Sequence, residues 1–456
     1  MNIVYLHTHD SGRIISPYGY KVPTPNLEAF AKEAVVFRNC FCAGPTCSPS
    51  RAAMLTGTYP HQNGMLGLAQ RGFKLDYEKH LVRYLNSHDY HTVLCGIQHE
   101  AGWYLDEGGG RMIGYQEELT ADNSGYRQED LGDWDLDNAG KVCRWLESYR
   151  DDQPFFLSYG MYATHRRYPD SISEDIEKDF ILPPPPIPDS PETREDFARY
   201  MTSSSKADRC VGMILDTLKK LGHMEDTIIF FTTDHGLANP FSKCTLFDSG
   251  IGVAFMIRCP AAISQSSQTG RLVDGLISHV DVFPTLCDLL GLEKPDYLEG
   301  VSFAPAIRGE TDSVRGEIFA EVNFHTSYEP IRCVRTERYK YIRYYDKDYL
   351  KINRSNIDES PTKDYFMGHG LEQQIKYEEA LYDLIYDMGE RNNLAGNPDY
   401  EGIKEELAQK LEHHMEATVD PLVNGEIPID SAWKVNKKEC ETASSKNPED
   451  YVNLGV

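Results

Sequence analysis

Residues 47–57 read Cys47-Ser48-Pro49-Ser50-Arg51-Ala52-Ala53-Met54-Leu55-Thr56-Gly57. The order predicts a helix with a reactive side chain at its mouth: Ser48 can cap it, Pro49 suits its first position, and Gly57 can end it. Free backbone N–H groups and the positive dipole end then face whatever Cys47 faces, and Arg51 adds a planar fork of donors one turn on. The stretch is therefore suited to holding a tetrahedral oxyanion against residue 47. The longer Cys-to-Arg loop of cysteine phosphatases is a rival, but only three residues separate Cys47 from Arg51, so that loop would not close around a phosphate in the same way. The plain alternative is a buried, inert thiol at an ordinary helix start.

Working outward, short apolar runs end repeatedly in polar residues. Asn2–Leu6 leads to His9 and Asp10, Tyr90–Gly96 to His99, Phe155–Tyr162 to His165, Arg166 and Arg167, and Thr227–Thr233 to Asp234 and His235. These runs read as buried strands of one α/β sheet, whose carboxyl ends converge where such folds bind ligands. Lys206–Leu221 carries Val211, Ile214, Leu215, Leu218 and Leu221 at helical spacing and stops at Gly222, which reads as a core-packing helix. The proline-dense stretch 181–188 is expected to be an extended spacer.

With 456 residues the chain has room for about three domains, or for one large α/β domain and a smaller one. The expected division is a catalytic domain over residues 1–315 and a smaller α+β domain over 316–456, because the pattern near residue 315 changes to short strands followed by a helix over 403–415. The tail beyond about residue 430 is expected to bury little. A net charge of −25 argues against nucleic acid as a partner, so an anionic substrate needs a local basic pocket. The start of the chain shows no basic-then-apolar leader, no apolar run reaches membrane length, and the eleven cysteines show no framework spacing. These features lead to the expectation of a soluble, cytoplasmic protein without disulfides.

Cys47, Pro49, Arg51, Leu55, Thr56 and Gly57 together resemble the signature of the formylglycine-dependent (type I) sulfatases. The span Pro23–Met65, with His61-Gln62-Asn63-Gly64-Met65, is similar to the sulfamidase-like group of that family. Lys243 with Thr245-Leu246-Phe247-Asp248-Ser249-Gly250 resembles a further family string. The resemblance implies an alkaline-phosphatase-like fold: a large, mostly parallel mixed sheet between helices, plus a smaller antiparallel sheet with a helix. It implies that a formylglycine-generating enzyme oxidises Cys47 to an aldehyde whose hydrate is the nucleophile. Arg51, His99, His165 and Lys243 become catalytic candidates, and Asp10, Asp234, His235, His9 and residue 47 become ligands of a divalent metal, calcium first.

Two positions depart from the family pattern. His9 stands where an acid is expected and Ile97 where a lysine is expected; the paired acids suit calcium or magnesium, and the softer set made by His9 and His235 admits manganese. The expected reaction is hydrolysis of a sulfate ester or N-sulfamate on a sulfated amino sugar, with Arg166, Trp103 and His325, and also Tyr104 and Arg167, as candidate sugar contacts. The alternatives are a phosphonate monoester or phosphodiester hydrolase, an aryl or steroid sulfatase, and a non-catalytic sulfoglycan-binding protein on the same scaffold.

Overall fold

β1 (Asn2–Thr8) is buried along its whole length, as a strand covered on both faces must be. Its side chains alternate between two cores: Ile3 and Tyr5 enter one, Val4 and Leu6 the other. The computed structural model describes residues 1–102, 108–264 and 270–452. Within them β1 lies inside a sheet completed by β2 (Val35–Phe41), β3 (His91–Gly96), β4 (Glu117–Glu118), β5 (Phe155–Gly160), β6 (Thr227–Thr233), β7 (Gly252–Arg258), β8 (Arg271–Val273) and β9 (Ile277–Ser278).

The strand order is β4-β3-β5-β1-β6-β7-β2-β8, with β9 also on β2. The run from β4 to β6 is parallel, and β7 is antiparallel to both its neighbours. One face is covered by the helices Pro25–Ala31, Leu131–Ser148 and Pro191–Leu221, which contribute Phe30, Val142, Trp145, Val211 and Ile214. The other is covered by Cys47–Thr56, Leu81–Asn86 and Val282–Leu290, through Met54, Leu55, Leu85 and Phe283. The parallel α/β expectation therefore holds, and it puts the carboxyl ends of β3, β5, β1 and β6 side by side.

A second, antiparallel sheet is formed by β10 (Glu317–Phe324), β11 (Tyr328–Thr336), β12 (Tyr339–Tyr344) and β13 (Glu379–Asp383) in that order. The helix Glu401–Ala417 packs Leu407, Leu411 and Met415 on the face carrying Val334, Tyr341 and Leu381. The opposite face, with Ile318, Val322, Ile331 and Ile342, joins the same apolar cluster as Phe37 and Phe283. The two sheets on either side of residue 315 thus share one apolar cluster. The tail also differs from expectation. Trp433 stacks on Phe73 at 4.3 Å, Val435 is buried in the same cluster as Phe73, and Arg71 donates to Lys434 O at 2.9 Å. The segment after residue 430 covers the loop that follows the Cys47 helix, an apolar debt that its polar composition conceals.

Candidate active site

The Cys47 helix spans Cys47–Thr56 and is buried throughout. Its N-cap is Thr46, in extended conformation, so Cys47 takes the first helical position and Ser48 is not the cap. Ser48 Oγ instead accepts from the Ala69 N–H at 3.1 Å. Gly57 ends the helix in the left-handed region at φ 66°, a conformation that favours glycine, and a Cβ there would press on the tip of the Leu298 side chain at 2.5 Å. At the end of β3, Gly96 has φ 81° and its hydrogen faces Gly160 O, 2.0 Å from where a Cβ would sit; this close approach lets the chain turn towards His99.

Strand ends deliver the charged groups as expected. The Asp10 N–H donates to Asp234 Oδ1 at 2.9 Å, which ties the end of β1 to that of β6. Arg51, one turn into the helix, donates to Asp234 Oδ2 and Thr8 O at 3.0 Å each and to His7 Nδ1 at 2.5 Å. His7, near the end of β1, is thus a partner of Arg51. Burial raises the Asp234 carboxyl, but His235 and Arg51 outweigh it and hold the group well below the usual carboxylate range. His7, His9 and His99 shift the other way: burial and then Arg51 push each well below the ordinary imidazole value, so all three stay neutral. Cys47 is buried and its thiol is pushed up, chiefly by desolvation.

The donors around Cys47 have the form of a cation cradle. One atom each of His9, Asp10, Cys47 and Asp234 lies within 4.8 Å of the others, and His9, Cys47 and His99 form an overlapping group. Asp10 Oδ1 and both ring nitrogens of His9 are buried without a hydrogen bond; His9 Nδ1 approaches Asp234 Oδ2 to 3.1 Å but is not aligned for one. His235 donates from Nδ1 to Gly236 O at 3.0 Å, which turns Nε2 towards Asp10 Oδ1 at 3.3 Å and Cys47 Sγ at 3.5 Å. Unsatisfied carboxylate and imidazole atoms pointed at a common space fit a divalent cation.

Lys243 closes the site. Its ammonium lies 3.1 Å from Asp10 Oδ2 and 3.0 Å from Asp358 Oδ2. Asp358, from the loop before the helix Pro361–Gly368, was not anticipated: Ile357-Asp358-Glu359 has no motif that ties it to Lys243. His165 donates from Nδ1 to Arg166 O at 2.5 Å, and its Nε2 is 3.9 Å from Asp10 Oδ2. His99 meets the His9 ring edge-on at 4.9 Å. His325 is buried just beyond β10, and its ring is kept neutral by burial and then by Lys243.

One expectation changes. Arg166 spends its guanidinium inside the fold: it is bidentate to Asp196 at 2.8 Å and donates to Asn239 Oδ1 and Ala238 O. A buried Arg so engaged has no fork left for substrate, whereas Arg167 is exposed. Ile97 packs in an apolar cluster with Leu131, Trp134 and Tyr162, so the position opposite the family lysine is filled by core. Trp103 and Tyr104 lie outside the described residues.

The sulfatase family profile matches residues 2–292, and a profile for the C-terminal part of N-sulphoglucosamine sulphohydrolase matches residues 234–366. The chain belongs to the sulfatase family. Among curated relatives it is similar to an ulvan-active sulfatase of Formosa agariphila, at 28% identity over 98% of this chain and 80% of that one. It is also similar to human N-sulphoglucosamine sulphohydrolase, at 26% identity over 92% and 91% of the two chains. A phosphonate monoester hydrolase of Agrobacterium radiobacter shares the fold, with a TM-score of 0.71 at 20% identity over 93% of this chain and 97% of that one. Sulfatases of this kind work with formylglycine and a divalent metal, and the cradle around Cys47 is chemically suited to both. No described helix of this sulfatase is long and apolar enough to cross a membrane.

Proposed function

We propose that this sulfatase removes sulfate, as an ester or an N-sulfamate, from an amino sugar of a sulfated glycan, using formylglycine made from Cys47 by a maturation enzyme. One observation carries the reading: Cys47 opens a buried helix within 4.8 Å of the donor atoms of Asp10, His9 and Asp234, in a chain whose relatives include a human N-sulphoglucosamine sulphohydrolase. Formylglycine supplies the hydrated nucleophile, and a divalent cation, calcium first, supplies positive charge for the sulfate oxygens. Asp10, Asp234, His9 and His235 would hold that cation, with Asp234 kept ionised for the task.

The chain's own residues do the rest. Arg51 neutralises Asp234 and fixes it against β1. Lys243, with an ammonium that carries three donors, gives one to Asp10 and is ion-paired with Asp358, which leaves a donor for the sulfate group. His165, the accessible histidine at the rim, protonates the leaving oxygen or nitrogen, with Lys243 as the other donor in reach. His99, held neutral beside Cys47, accepts the proton released as the aldehyde reforms. The testing experiment is a screen of matured enzyme against sulfated monosaccharides, aryl sulfates and steroid sulfates, read as sulfate release. Turnover of amino-sugar sulfates above the others is expected; turnover of aryl or steroid sulfates alone overturns the substrate class.

A second reading follows from His235 beside Asp234, a softer ligand set suited to a phosphonate monoester or phosphodiester hydrolase. Comparing aryl sulfate with aryl phosphonate under calcium and then manganese separates the two.

A further inference from the structure

Around Lys243 the charged groups differ sharply in exposure. The Asp10 and Asp234 side chains are 0% accessible and Lys243 is 3%, whereas His165 is 21% and Asp358 is 19%. His165 and Asp358 therefore form the edge of the site that faces outward, the side from which a leaving group extends once its sulfate is seated against Cys47. Asp358 is ionised there: burial raises it, but Lys243, 3.0 Å away, outweighs that and holds it well below the usual carboxylate range. A fixed carboxylate at the mouth of an anion site needs a reason. Lys243 already has Asp10 as a partner, so the second carboxylate is not required to anchor it.

We propose that Asp358 is a specificity-determining residue that reads the leaving group: its carboxylate accepts a hydrogen bond from a hydroxyl or N–H donor beside the sulfated atom and disfavours a second anion at that place. The inference rests on the sulfatase reading above and deepens it. A carboxylate is an acceptor only, so it rewards neutral or cationic polyols and amines. A neighbouring sulfate or uronate would meet it as like charge, and rejection of that kind is how a site discriminates. The preferred substrates are thus end groups carrying one sulfate, and densely sulfated neighbours would have to be cleared first by a reaction of the same class.

The test compares matured wild type with Asp358→Asn, which keeps the shape and removes the charge. The probes are glucosamine 6-O-sulfate, glucosamine 2-N-sulfate, the 2-N,6-O-disulfate and 4-nitrophenyl sulfate. The wild type is expected to prefer the better monosulfated sugar over the disulfate by about tenfold or more in kcat/KM. In Asp358→Asn that preference should fall by about tenfold, mainly through KM for the monosulfated sugars, with a several-fold smaller change for 4-nitrophenyl sulfate, which offers no neighbouring donor. Thermal unfolding of both proteins shows whether the fold is intact. An equal loss on all four probes would mean that Asp358 acts only through Lys243 and overturns the proposal, as would an unchanged preference. Absence of sulfate release from all four probes by matured wild type overturns the sulfatase reading itself, and the proposal with it.

Discussion

Two buried clusters bring a histidine and carboxylates to the same spacing, and only one of them is arranged for chemistry. Around Cys47, atoms of His9, Asp10, Cys47 and Asp234 lie within 4.8 Å of one another; at the joint between the two sheets, so do atoms of His61, Glu321 and Asp420. In the second cluster the charges are already answered. Arg332 is bidentate to Asp420 at 2.5 and 3.0 Å, and His61 Nδ1 donates to Glu321 at 2.5 Å. His61 is raised above its ordinary value because Glu321 and Asp420 outweigh its burial, while Glu321, which burial alone would raise, is drawn down to about 2 by His61 and Arg332. Two anions face two cations. Around Cys47 the balance is different: Asp10, Asp234 and Asp358 face Arg51 and Lys243, and His7, His9, His99 and His325 are held neutral by burial. The site keeps unspent negative charge and an unpartnered carboxylate oxygen, Asp10 Oδ1, whereas at the joint every carboxylate oxygen of Glu321 and Asp420 is partnered and His61 Nε2 is the ring atom left without a hydrogen bond. Spacing alone does not make a metal site; an unmet charge at that spacing does.

The contrast breaks most visibly at residue 47. Cys47→Ala is expected to lower sulfate release by about 10⁴-fold or more, as loss of a nucleophile does, with thermal unfolding close to that of the wild type. The joint should show the reverse. Arg332→Leu leaves Asp420 and Glu321 buried without their cation, and it is expected to cost about 3 to 5 kcal/mol in denaturant unfolding, with kcat of the folded fraction retained. Calcium titration into matured protein sharpens the same point: Asp10→Asn should weaken binding by about 100-fold, while Asp420→Asn should leave stoichiometry and affinity as they are.

The smallest effect is in pH. The raised His61 contributes stability that is complete below its unfolded value of about 6.5 and is lost as pH rises through its folded value. The depressed Glu321 contributes above its unfolded value of about 4.3 and loses that contribution as pH falls through about 2. The difference in melting temperature between wild type and His61→Gln should therefore be widest between about pH 5 and 6.5 and narrow towards alkaline pH. A difference that grows with pH contradicts the pairing.

Much of this was legible in the chain. The strand-end residues Asp10, His99, His165 and Asp234 could be read because parallel strands put their carboxyl ends together, and Cys47 with Arg51 because helix periodicity sets both on one side. What was not legible depends on partners distant in sequence. Arg166 after a strand looks like an anion ligand until Asp196 is found against it. Asp358 comes from a loop whose only structural cue is the helix that follows it, and nothing local ties it to Lys243. Ile97 looks like a lost cation in the sequence, yet its side chain completes an apolar cluster under Trp134. The tail after residue 430 gave no apolar pattern, although Trp433 and Val435 pack on Phe73 and its neighbours.

The central claim, that residue 47 acts as formylglycine, is tested most directly by one paired measurement. Protein made with graded amounts of the maturation enzyme is divided: the mass of the peptide holding residue 47 gives the aldehyde fraction, and sulfate release gives the rate. Activity should rise in proportion to the aldehyde fraction and vanish where only thiol is found. Full activity in protein whose residue 47 is entirely thiol would contradict the account.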